Sequence, residues 1–212
     1  MNWDWIRSNI PEIVDATIDH LILTVIAVSV GFVISFGCAL LIYRERRFYG
    51  PLSGISGVVY TIPSLALLAF LVPVTGLSVL TAEIALIGYT LLILIRSIVG
   101  GLDSVPRDIT EAADGMGYSS NGRLFGVDLP LATPLIIAGL RVATVTTVGL
   151  VMVTAVIGEG GLGQLMLRGF NFRNTTAVYV GAIMTVLLAV SLDLVVVTIG
   201  RIATPWARRS ET

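Results

Sequence analysis

Lysine is absent from this sequence, and cysteine and histidine occur once each, at Cys38 and His20. A lone cysteine excludes an internal disulfide framework, and one of each excludes a zinc site built on Cys/His clusters. Charge of either sign is scarce. Charged residues make up 13% of the 212, against roughly 25% in an ordinary soluble domain. With 55% hydrophobic residues and a mean hydropathy of +0.92, a soluble fold would have too few charged groups to cover its surface. The net charge of −1, from 13 arginines and 14 carboxylates, offers no basic footprint for nucleic acid. Also missing are paired catalytic carboxylates, a nucleophile–base arrangement and a Walker-type phosphate loop. The chain therefore reads as an all-α integral membrane protein, not an enzyme.

A helix needs roughly 20 apolar residues to cross the hydrocarbon layer. Measured against that length, five spans are expected at about residues 21–43, 52–72, 80–99, 131–157 and 176–200. Arginine placement sets their direction. Arg44, Arg46, Arg47, Arg96, Arg107, Arg123, Arg201, Arg208 and Arg209 fall on one side, whereas Arg7, Arg168 and Arg173 fall on the other. The N-terminus is therefore expected outside and the C-terminus in the cytoplasm. Residues 1–20 lack the basic start and cleavage site of a signal peptide. Trp3 and Trp5, followed by Ile6, Ile10, Val14, Ile18 and Leu21 at helical spacing, suggest an amphipathic helix on the outer interface. The alternative is a frayed polar lead-in.

Residues 100–130 form the one long polar interior segment, holding five of the 14 carboxylates. Asp103 or Ser104 is expected to cap a short helix there, with Pro106 in its first turn and Gly115 and Gly117 at its end. Ser119 or Ser120 would cap a second short helix running through Phe125 and stopped by Pro130. A solvated linker is the plain alternative, although loops of this length without a role are uncommon.

Glu111-Ala112-Ala113, Gly117, Val127 and Leu129-Pro130 resemble the EAA signature of ABC importer permeases, with Val127 in place of isoleucine. The resemblance implies that residues 100–130 are a coupling segment docking into a groove on the ATP-binding subunit. Glu111, Ala112, Ala113, Gly117, Leu129 and Pro130 are the positions it assigns. Residues 61–68 (TIPSLALL), 138–141 (AGLR) and 157–163 (IGEGGLG) look like the osmoprotectant branch, which imports glycine betaine, carnitine, choline and proline. That likeness implies a single MetI-like permease domain over residues 1–212, multi-pass in the cell membrane and embedded in lipid. Its implied partners are two ATP-binding subunits, a second permease, identical or paralogous, and an external solute-binding protein. ATP and Mg would belong to the partner, with no cofactor on this chain. Because the sequence stops at Thr212, soon after the fifth span, the binding protein is expected to be a separate chain. The alternatives are a permease for another small solute, such as an amino acid, or an ion-driven secondary transporter.

Gly158-x-Gly160-x-x-Gly163 has the spacing of a dinucleotide fingerprint, but it follows a membrane span where the fingerprint requires a strand. A tight turn or broken helix is expected instead, with Gly158, Gly160, Gly161 and Gly163 forming an external gate element. Arg141 and Asp193 lie at matching depths in spans four and five, which points to an ion pair; the alternative is separate satisfaction by backbone or water. Glu83 reads as an interfacial carboxylate near the outer end of span three. Pro63 breaks or kinks span two, where it would expose carbonyls to the pathway. Tyr60 and Tyr89 are the span-embedded aromatics able to meet a quaternary ammonium, although aromatic residues in helices usually pack. Gly31, Ser35 and Gly37 are expected to allow close helix approach.

Overall fold

The computed structural model describes residues 1–206, with helices and no strand among them. Arg208 and Arg209, two of the arginines expected in the cytoplasm, lie outside the described residues. A short helix α1 (Trp3–Ser8) is followed by α2 (Ile10–Arg44), which runs unbroken for 35 residues. That is roughly 52 Å of helix against a hydrocarbon layer of about 30 Å, so α2 extends beyond it. The separate N-terminal helix is thus shorter than the expected 1–20 segment, because Pro11 falls where a first turn accepts it and nothing then interrupts α2. Ile10, Val14 and Ile18 point outward, while Ile13 and Ala16 pack inward with Leu162, Leu165 and Val180.

The second span is not one helix. It divides into α3 (Tyr49–Thr61) and α4 (Ser64–Thr75), bent by 99° across Ile62-Pro63. Proline forces its predecessor out of the helical region, and Ile62 is extended at φ −67°, ψ 128°. The break leaves the Ile62 carbonyl without a helical donor, and the Tyr89 hydroxyl donates to it. Pro73 does not end α4, which continues to Thr75 and closes at Gly76.

Tyr89 belongs to α5 (Val79–Asp103), the centre of the bundle. Its most apolar stretch is 56% buried, compared with 11% for α10 (Thr175–Ala203) at the periphery. α2, α3 and α4 pack on α5, and so does α8 (Leu129–Val151). Small residues set two of these approaches. A Cβ on Gly31 would lie 1.9 Å from Thr90 Oγ1, and one on Gly139 would lie 2.1 Å from Ser97 Cβ. Ser35 is buried, but Gly37 faces open space and supports no such contact.

The residue chemistry between α5 and α8 builds α6 (Arg107–Gly115) and α7 (Ser120–Arg123), joined to α8 through a π turn at Leu124–Asp128. After α8 a 3-10 turn (Val153–Ile157) leads to α9 (Leu162–Asn171) and then α10. Counting the bent α3–α4 pair once, α2, α5, the α7–α8 run and α10 complete five candidate crossings. Glu83 departs from expectation: it is buried, and neither of its carboxylate oxygens has a hydrogen-bond partner among the described residues.

Tyr89→Phe removes the donor to the Ile62 carbonyl and is expected to destabilise the bundle by about 1 kcal/mol. A lowered unfolding midpoint in detergent checks this; an unchanged midpoint contradicts it.

Candidate functional site

The first helix of the polar 100–130 segment begins later than its sequence suggests. Asp103 is the last residue of α5, where it pairs with Arg46, and the Ser104 hydroxyl donates back to the Gly101 carbonyl. Neither caps α6, which starts after Pro106 with Asp108 in its first turn. The far end of α6 is a Schellman closure. Gly117 N–H bonds to Asp114 O at 3.0 Å and Tyr118 N–H to Ala113 O at 3.2 Å. Gly117 takes φ +84°, a left-handed conformation that carries no Cβ penalty in glycine. Ala113 is buried, whereas Glu111 and Ala112 face outward. Ile109, Met116, Tyr118 and Phe125 are exposed around them, Met116 by 72%. Four large apolar side chains are thus exposed along an otherwise polar segment.

Ser119 caps α7 by accepting from Gly122 N–H at 3.2 Å. The helix does not stop at Pro130 as expected. At the π turn the Leu129 N–H reaches back five residues to the Leu124 carbonyl, and Pro130 enters α8 in its first turn. The wider turn accommodates a residue without an N–H, so the run to Val151 stays helical. Leu129 and Pro130 thus form the start of a span rather than a break before it.

Sequence reasoning missed a polar cluster beneath this turn. Asp128, with 2% exposure, accepts from the Tyr43 hydroxyl at 2.5 Å. Arg123 donates to Tyr43 at 3.1 Å and to Asp114 at 2.5 Å, and its Nε lies 3.4 Å from Asp128. The available signal was the alternating charge of Asp114, Arg123 and Asp128 within one segment.

At the opposite end, Gly158 turns left-handed at φ +91°. Gly160 and Gly161 have φ +113° and +47°, and a Cβ on Gly161 would lie 2.3 Å from the Ala16 carbonyl and 2.6 Å from His20 N. Gly163 is equally close to the Met152 carbonyl, where a Cβ would lie at 2.6 Å. These glycines press the start of α9 against the backbones of α2 and the end of α8. His20 completes the junction: its Nε2 donates to the Val148 carbonyl at 3.0 Å, near the end of α8. Beside this turn opens a cavity of about 560 Å³, lined by Glu12, Asp15, Asp19 and Glu159 among others; Arg168 pairs with Glu12 at 2.8 Å.

Arg141 and Asp193 form a two-pronged contact between α8 and α10, at 2.7 and 2.8 Å. Tyr60 and Tyr89 meet edge to face with centroids 6.0 Å apart, next to the break at Pro63. Tyr89 is buried and Tyr60 is exposed. No group of three or more His, Cys, Asp or Glu residues suited to a metal occurs among the described residues.

A bundle of apolar helices with one broken span and up to five candidate crossings defines a polytopic membrane subunit. Residues 15–209 match the family described as the binding-protein-dependent transport system inner membrane component, and the chain belongs to it. It is 34% identical over 206 residues to the osmoprotectant import permease protein OsmW of Salmonella typhimurium, covering 95% of this chain and 96% of that one. It is 37% identical over 191 residues to the glycine betaine/carnitine/choline transport system permease protein OpuCD of Bacillus subtilis, covering 90% and 83% respectively. The fold is that of the permease in an inward-facing MetNI methionine ABC transporter: TM-score 0.84, 23% identity, 96% of this chain and 100% of that chain covered. The protein is therefore a multi-pass cell-membrane subunit of an ABC importer. It is not itself an enzyme; ATP hydrolysis lies on a partner chain, and importers of this family also use a substrate-binding protein.

Two outcomes follow. Gly161→Ala is expected to destabilise the protein by about 1–3 kcal/mol, read from its unfolding midpoint; no change would show that the junction is loose. Arg141→Asp or Asp193→Arg alone should lower the yield of monodisperse protein, and the double exchange should restore it. Two singles that behave like the unaltered protein would show that the pair is dispensable.

Proposed function

We propose that this chain lines the translocation pathway of an importer for compatible solutes of the glycine betaine, choline, carnitine and proline type. The names of its osmoprotectant relatives support the substrate class. Two permeases, identical or paralogous, enclose the pathway, and each meets one of two ATP-binding subunits through Glu111, Ala112, Ala113 and Gly117, with Leu129 and Pro130 carrying the motion into span four. The N-terminus is outside and the C-terminus cytoplasmic. Arg46 pairs with Asp103 at the end of the bundle that holds the coupling segment, while Arg168 pairs with Glu12 at the other, in keeping with the arginine bias.

The observation that carries the coupling role is the exposed Glu111–Ala112 face beside an uncovered apolar patch. Alanine there permits close approach, and Glu111 supplies an acceptor to a partner's donor. We assign the pathway to the α3–α4 break at Pro63 with Tyr60 and Tyr89, and the outer gate to Gly158, Gly160, Gly161 and Gly163. Non-helical backbone at membrane depth belongs where protein or a cavity surrounds it.

Reconstitution with the ATP-binding subunit and the solute-binding protein tests the reading. ATP-dependent uptake of glycine betaine or choline is expected, and uptake that persists without ATP would overturn it. Glu111→Ala and Gly117→Asp should insert normally yet lose association with the ATP-binding subunit or lose transport. Normal uptake by both variants refutes the assignment.

A further inference from the structure

We infer that Arg123 is a positioning residue that locks the coupling helix to spans one and four, so that motion received at α6 is delivered to the membrane. This rests on the coupling role proposed above and adds the joint through which that role acts.

One guanidinium reaches three elements. It donates to Asp114 in the last turn of α6, at 2.5 Å, and to Tyr43 at the cytoplasmic end of α2, at 3.1 Å; it also lies 3.4 Å from Asp128 at the base of α8. Asp128 is buried and accepts from the same Tyr43 hydroxyl, so two of the three groups facing Arg123 are themselves linked. A planar fork with five donors holds several acceptors at once, as a single ammonium does not. The π turn makes the grouping geometrically possible. Residues five apart in an α-helix point about 140° away from each other, but the wider π turn brings Arg123 and Asp128 toward one face. A second link, from Arg44 to Asn121 Oδ1 at 3.4 Å, ties α7 to α2 beside the first. Apart from the joint, α6 is held by the chain at its two ends, through residues 104–106 and 116–119, and by packing against α7 and the π turn.

The test uses the complete complex in proteoliposomes, with glycine betaine or choline as the imported solute, and reads solute imported per ATP hydrolysed. Arg123→Gln should lower that ratio by about tenfold, the scale of a typical coupling between sites, while the complex still assembles and hydrolyses ATP. Arg123→Lys should also lower it, since charge without the fork does not hold three acceptors. Asp114→Asn removes one arm at an exposed position and should lower it less; it decides the matter if the Arg123 variants do not assemble. A ratio equal to that of the unaltered complex, or uptake and hydrolysis falling in proportion, overturns the inference. Lack of uptake by the unaltered complex would instead count against the proposed substrate class, and solute-binding-protein stimulation of ATP hydrolysis, lost in Arg123→Gln, then carries the same test.

Discussion

In hydrocarbon no water is available to a backbone carbonyl, so each departure from regular helix must find its partner inside the protein. The structure is organised around this constraint. Where Pro63 breaks span two, the freed Ile62 carbonyl receives the Tyr89 hydroxyl. Where α8 ends, His20 donates to the Val148 carbonyl from the neighbouring α2. Where Pro130 removes an N–H, a π turn rearranges the bonding and the helix continues. At the first two points an element distant in sequence supplies the donor, which ties the spans together there, whereas at Pro130 the rearrangement is local.

Charge obeys the same economy. The arginines of the described residues gather near the two ends of the bundle, except for Arg141, which contacts Asp193. Polar contacts gather around the 107–128 segment, where Asp114, Arg123, Asp128 and Tyr43 form one connected cluster. Side-chain contacts thereby join α6 to the bundle in addition to its covalent ends. Glu111 and Ala112 stay exposed, as do Met116 and Tyr118.

Much of this was legible beforehand. Run length and arginine placement located the spans to within a few residues for α5 and α10, because a charge-free stretch of that length has few other uses. The glycine elbow was legible because Gly117 occupies the one left-handed position of a helix closure. Span two was harder. Pro63 marked the break, but the size of the bend depends on how α3 and α4 pack against α5, which no local pattern encodes. Pro130 misled for a related reason: proline ends a regular helix, and a π turn leaves no reliable signature in sequence. Glu83 was read as interfacial and the bonding of Tyr43 was overlooked, because neighbours distant in the chain decide both.

The central claim, that the 107–117 helix faces the ATP-binding subunit in the cytoplasm, is open to one direct measurement. A cysteine placed at Ala112 in a Cys38→Ser background should cross-link to the ATP-binding subunit in native membranes, whereas one placed at Phe172, near the opposite end, should not. Cross-linking from Phe172 but not from Ala112 would contradict both the orientation and the coupling surface.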